Sequence, residues 1–243
     1  MANEAETALD DDPWIPPPRP VVGGCFVAFA RGEAGPGHPG DRAWAAAVAW
    51  RADALTDGRD RRVDSHLRGM RSPGQPRRAD DVLAQAVAGE RVPAAYEPGL
   101  LAMREGQVLA TAVERLPQLP DVLLVDATGL DHPRHAGLAL HLGAVVGVAT
   151  VGVTQHPLVA SGAFPPLRRG ARAPVRVGER CVGHWVCTRT GARPLVAHAG
   201  WRTTPDVAAQ VVVDASTEAA RTPVPLQEAR RVAREARALA RAG

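Results

Sequence analysis

Asp126 is the acid in this chain best placed to do chemistry. The segment Pro120–Pro157 runs from an apolar strand into Asp126, then through a glycine-bearing loop and a helix into a second apolar strand. At the carboxyl end of a parallel strand the chain passes from a buried sheet to the surface, and α/β enzymes place reactive groups there. The alternative is an acid that caps the loop after it. Further on, His132-Pro133-Arg134 either supports a site loop and touches phosphate, or is a helix N-terminal segment with Arg134 in solvent. Glu105 read alone is a helix-surface acid. His141 reads as a satisfied core histidine, Cys25 as a small buried residue, and Asp206 as a first-turn acid favoured by the helix dipole. Cys25, Cys181 and Cys187 show neither metal-ligand spacing nor a disulfide framework.

The elements that must position these groups follow from periodicity. Val21–Ala30 is a β-prone run, and Ala43–Ala54 a second strand whose alanines equally suit a helix. Residues 56–78 are charged and arginine-rich with aspartates interspersed, a solvated loop insertion rather than a phosphate-binding arm. A third strand covers Val82–Val92, and a helix carries Leu101, Arg104, Glu105, Val108 and Leu109. The central block supplies strand Val122–Asp126, helix Ala136–Gly147 and strand Thr150–Thr154, and residues 158–174 read as irregular. Residues 179–200 alternate around Thr190-Gly191 as a β-hairpin. Thr204-Pro205-Asp206 starts a helix, and an arginine-rich helix from about Pro225 closes the chain with a solvated basic face.

Composition bounds the rest. The 243 residues suit one α/β domain, 45% of them are hydrophobic, and every one of the 29 basic side chains is Arg. A net charge of +3 permits a nucleic-acid partner without requiring one. No apolar run reaches membrane-spanning length and the acidic start is unlike a signal peptide, so a cytoplasmic protein without membrane contact is expected, as a monomer.

Three blocks resemble the endonuclease V family. Tyr96-Glu97-Pro98-Gly99-Leu100-Leu101-Ala102-Met103-Arg104-Glu105 is similar to the family's PYxPGxLxxRE, the central block to DGxGxxHPRxxGxAxHxG, and Leu195–Arg202 to its VSxGHR segment. The resemblance implies an α/β fold, an RNase H-like mixed β-sheet flanked by helices, over residues 21–243 behind a flexible acidic and proline-rich arm, residues 1–20. It implies a Mg2+- or Mn2+-dependent endonuclease that cuts DNA, or RNA, 3′ to deaminated bases such as inosine. Glu105 and Asp126 become the catalytic metal ligands. Tyr96 becomes the wedge, with Pro98, Gly99, Leu101, Gly129, His132, Arg134 and Gly152 around the flipped base.

The match departs from the pattern at the site itself. The family's metal-binding Asp in its first strand falls at Phe26, and a one-residue shift offers only Cys25, a soft ligand poorly suited to magnesium. The family's His falls at Trp201, its Lys at Gln155, and DGxG reads Asp126-Ala127-Thr128-Gly129. His198 lies close by, but its side chain should point elsewhere. Two function classes follow: a divergent nuclease with weak or impaired hydrolysis, and a pseudoenzyme that binds lesions or single strands without cutting.

Overall fold

The structure, a computed structural model, describes residues 12–30, 37–51 and 82–242. One mixed sheet holds eight strands: β1 (Val21–Phe29), β2 (Arg42–Arg51), β3 (Val82–Arg91), β4 (Val122–Val125), β5 (Ala149–Thr154), β6 (Arg172–Val177), β7 (Arg180–Val186) and β8 (Leu195–Ala199). Their order across the sheet is β3-β2-β1-β4-β5-β8-β7-β6. The neighbours β1, β4 and β5 run parallel, and every other pairing is antiparallel. Among the described residues the helices are α1 (Leu101–Glu114), α2 (Leu138–Val146), α3 (Pro205–Asp214) and α4 (Val224–Ala242).

Helices cover both faces, which is why β4 (VLLV) and most of β5 are apolar at successive positions rather than alternating. Cys25, Val27, Leu123 and Val125 pack with α1 and α2 on one face. Val22 and Leu124 pack with α3 on the other, where Phe26 and Ala28 meet α4. The strand β2 is buried from Ala43 to Trp50. Its alanines suit a helix, but pairing with β1 on one edge and β3 on the other makes it a strand. Small side chains then let α1 and α4 approach the sheet from opposite faces.

Several boundaries differ from the sequence reading. Residues 158–174 are not wholly irregular: β6 begins at Arg172, and Ser161 bridges to Arg176. Pro174 hides this strand from a propensity reading, and an edge position tolerates it. The strand β4 stops at Val125, which leaves Asp126 just beyond it, and α2 starts at Leu138 because Gly137 is its N-cap. Residues 52–54 of the second expected strand, the 56–78 insertion and residues 1–11 of the N-terminal arm lie outside the described residues. The remainder of that arm is docked: the Trp14 amide donates to the Arg202 carbonyl at 2.7 Å, and its ring packs on the core beneath α3. The expected cap on α3 is present, with Thr204 accepting from the Val207 amide. Among the described residues no helix is long and apolar enough to cross a membrane.

Candidate functional site

A cavity of about 1650 Å³ opens between α1, α2 and the carboxyl ends of β4 and β5. Tyr96, Pro98, Gly99, Leu101, Asp126, His132 and Arg134 all lie on its wall, together with Met103, Thr154 and Trp201. Tyr96 stands 49% exposed. The segment that carries it is held from beneath by Arg104, whose guanidinium donates to the carbonyls of His38 and Ala94 and to the Asp41 carboxylate at 2.6 Å. Arg104 also lies 4.4 Å over the Phe29 ring and is only 4% exposed. The first half of the Arg104-Glu105 pair is thus a structural anchor.

His132 fixes the same loop from the other side. Its Nδ1 accepts from the Arg134 amide at 3.2 Å, so the proton sits on Nε2, which donates to the Gly99 carbonyl at 3.1 Å. Burial pushes its pKa down and favours this neutral form. Arg134 itself is exposed. Glu105, Gly129 and Gly152 are not on the cavity wall. The two glycines permit close backbone packing: a Cβ on Gly129 would meet the Ala199 carbonyl oxygen, and one on Gly152 the Ala127 carbonyl oxygen. His141, expected in the core, is exposed and faces the cavity. It sits on the outer face of α2, where residues three and four apart share a side.

On the cavity wall, Asp126 is joined by a partner that sequence reading placed in solvent. Arg230 of α4 donates from Nη2 to Asp126 Oδ2 at 2.8 Å, with 27% of the arginine side chain and 32% of the aspartate exposed. Its guanidinium carbon lies 5.4 Å from the centre of the Phe26 ring. The C-terminal arginines are therefore not one solvated face: Arg231 pairs with Glu228 and Glu235, whereas Arg230 turns inward. A contact 104 residues apart in sequence leaves no local signal. Cys25 is buried near both acids, and burial first, then the charges of Asp126 and Glu105, raises its pKa, so it stays a thiol. Trp201 is set by Thr150, whose hydroxyl accepts from the Trp201 amide at 2.8 Å and donates to the Ala139 carbonyl at 2.7 Å.

His198 does not replace the missing histidine. It is fully buried, with Nε2 2.7 Å from the Thr154 hydroxyl and Nδ1 3.6 Å from Asp131. Burial lowers its pKa and keeps it neutral. Asp131, unmarked by any sequence signal, accepts from the amides of Leu158, Val159 and Ala160 and pins the loop after β5.

The residues present do not fit the divalent metal that the resemblance implies. Phe26 and Trp201 have no donor atom for a hard cation, and one Asp126 oxygen is already held by a guanidinium. Among the described residues no three His, Cys, Asp or Glu side chains are grouped to hold a metal ion. Glu105 is part-buried near Asp126: burial, reinforced by Asp126 against the opposing charge of Arg104, pushes its pKa up to about 7.

That shift makes a stability prediction. The folded state holds the Glu105 proton more tightly than the unfolded chain, so its contribution is full below about pH 4.5 and is lost as pH rises through about 7. Glu105→Gln should match the parent in thermal unfolding near pH 4.5 and exceed it by ~1–3 kcal/mol at pH 8. A constant difference across that range would show that Glu105 is not held protonated.

The profile of the Endonuclease V family matches residues 77–231. Relatives include Endonuclease V of Streptomyces coelicolor, 40% identical over 121 residues, and that of Methanopyrus kandleri, 41% identical over 122; each alignment covers 50% of this chain and 52% of the relative. The chain thus spans about half the length of the curated relatives it matches. Among solved structures, Endonuclease V from Streptomyces avermitilis superposes with a TM-score of 0.75 at 30% identity, over 99% of this chain and 94% of that one. Endonuclease V from Ciona intestinalis, in complex with a 24mer DNA containing an inosine followed by a ribo-adenosine, shares the fold with a TM-score of 0.65 at 18% identity, over 89% and 85% of the two chains. The mixed sheet flanked by helices is the expected RNase H-like fold, and the chain belongs to the endonuclease V family.

Proposed function

We propose that this protein binds nucleic acid carrying a deaminated base such as inosine, receives that base in the cavity between α1 and α2, and is impaired in metal-dependent hydrolysis of the phosphodiester 3′ to it. One observation carries the reading. The cavity, with ample room for an extruded base, keeps Tyr96, Pro98, Gly99 and His132 on its wall, while Asp126 on the same wall is paired with Arg230 beside Phe26. The recognition half of the machinery is retained and the hydrolytic half is dismantled. Extruding a base costs a few kcal/mol, least where it is mispaired or single-stranded, so the favoured ligands are inosine mispairs and single strands. Family membership and the inosine-containing DNA bound by the Ciona intestinalis protein support this choice of ligand. A role in repair follows as lesion recognition in the cytoplasm by a monomer.

The test pairs binding with incision. Fluorescence anisotropy should show at least ~10-fold tighter binding to an inosine-containing oligonucleotide than to its adenine counterpart. With magnesium or manganese present, incision should not exceed that of an Asp126→Asn, Glu105→Gln control. Equal binding to both oligonucleotides sinks lesion recognition. Incision clearly above the control restores the alternative reading, a weak but working nuclease.

A further inference from the structure

The cavity-wall carboxylate Asp126 has a cation beside it after all, and the chain supplies it. Arg230 reaches from α4 across the Phe26 ring to Asp126, using Nη2 for the one hydrogen bond. Its Nε is buried with no hydrogen-bond partner among the described residues. Guanidinium has five donors in a planar fork, and a single bond to carboxylate leaves most of them unspent. One helical turn on, Arg234 lies 5.9 Å from the same ring, exposed and without a carboxylate partner among the described residues. A shallow groove of about 480 Å³ runs along this side of α4, lined by Gln227, Arg230, Arg231, Arg234, Glu235 and Ala238. Arg231 is spent on Glu228 and Glu235. Arg230, Arg231 and Arg234 thus stand beside three carboxylates, Asp126, Glu228 and Glu235, but Arg234 takes part in none of these ion pairs and its guanidinium stays open to a ligand.

We propose that Arg230 and Arg234 form a phosphate clamp that takes the place of a divalent ion, binding a backbone phosphodiester of the nucleic acid beside Asp126 without metal. The ligand rests on the function proposed above; the clamp itself rests on the geometry of α4. Phosphate oxygens match the guanidinium fork in two-point geometry, which a carboxylate held by one oxygen leaves open. Asp126 then acts as the positioning residue that keeps Arg230 extended over Phe26. A guanidinium holds the strand but cannot ionise a water as a metal does, so this arrangement favours retention of the ligand over its cleavage.

The experiment measures binding of the full chain to inosine- and adenine-containing single strands, in excess EDTA and across a salt series. The parent protein should bind equally well with EDTA or with magnesium. Arg230→Ala with Arg234→Ala should weaken binding at least ~10-fold and reduce the slope of log affinity against log salt by about 2. Both oligonucleotides should be affected alike, because phosphate contacts carry no base information. Arg234→Ala alone, an exposed change outside the core, should show about half the slope change and guards against misfolding at Arg230. A parent protein that loses binding in EDTA overturns the clamp, as does a double variant with the parental slope. Loss of base preference in the parent protein overturns the base-binding reading instead, so the two failures are distinguishable.

Discussion

Asp131→Ala should destabilise the protein by about 2–5 kcal/mol, because it strips three backbone amides of their acceptor and leaves a cavity. The carboxylate is completely buried and accepts three backbone amides: Leu158 at 2.7 Å, Val159 at 2.8 Å and Ala160 at 2.7 Å. Alanine would leave the buried Ala160 amide without an acceptor, at roughly 1–3 kcal/mol, and the part-buried amides of Leu158 and Val159 at less, since water reaches that part of the loop. For a chain of this size that is a drop in melting temperature on the order of 10 °C. The neutral His198 beside it adds no opposing charge once Asp131 is gone. Asp131→Asn retains one carbonyl acceptor and should lose about half as much. Thermal and urea unfolding measure both variants, and a loss below ~1 kcal/mol for the alanine variant would mean that the loop after β5 is not held by this carboxylate.

Asp131 also shows where sequence reading stops. Strands β1, β3, β4 and β5, the hairpin of β7 and β8, and the capped start of α3 were legible because each is announced locally, by a period-two or apolar run or by Thr204-Pro205. The edge strand β6 was not, since Pro174 lies inside it and its pairing partner β7 supplies the order. At the site, Asp126 was singled out by its place at a strand end, and Tyr96 and His132 through the resemblance to the family's motifs; all three line one cavity. Spacing could not find Arg230, because its meaning depends on α4 crossing Phe26 and Asp126, which come from distant parts of the chain. Nor could it show that Arg104 is spent on anchoring His38, Ala94 and Asp41. Reading Arg230 as solvated followed from helix periodicity alone, which knows a helix's apolar face but not what the rim of that face meets.

The largest functional change should come from replacing the resident guanidinium by a metal site. Cys25 pairs with Val125 in the parallel ladder of β1 and β4, so Phe26 and Asp126 stand one step further along, side by side. Phe26→Asp would set two carboxylates next to each other, but with Arg230 in place they should share its guanidinium, and divalent affinity should hardly change. Combining Phe26→Asp with Arg230→Ala removes the competitor and leaves two adjacent like charges that only a cation relieves. Manganese binding, followed by the loss of free-ion paramagnetic resonance signal, should then tighten at least ~10-fold over the parent protein. Adding Trp201→His restores the histidine that the family pattern has at this position, and manganese-dependent incision beside inosine should appear only in this triple variant. The same variants discriminate clamp from ligand set in binding. With Arg230 gone, affinity for the inosine strand should fall in EDTA and recover when manganese is added, whereas the parent protein should ignore both additions. If the parent protein already binds manganese as tightly as Phe26→Asp, Arg230→Ala does, then Arg230 does not occupy the metal's place and the proposed impairment of hydrolysis loses its physical basis.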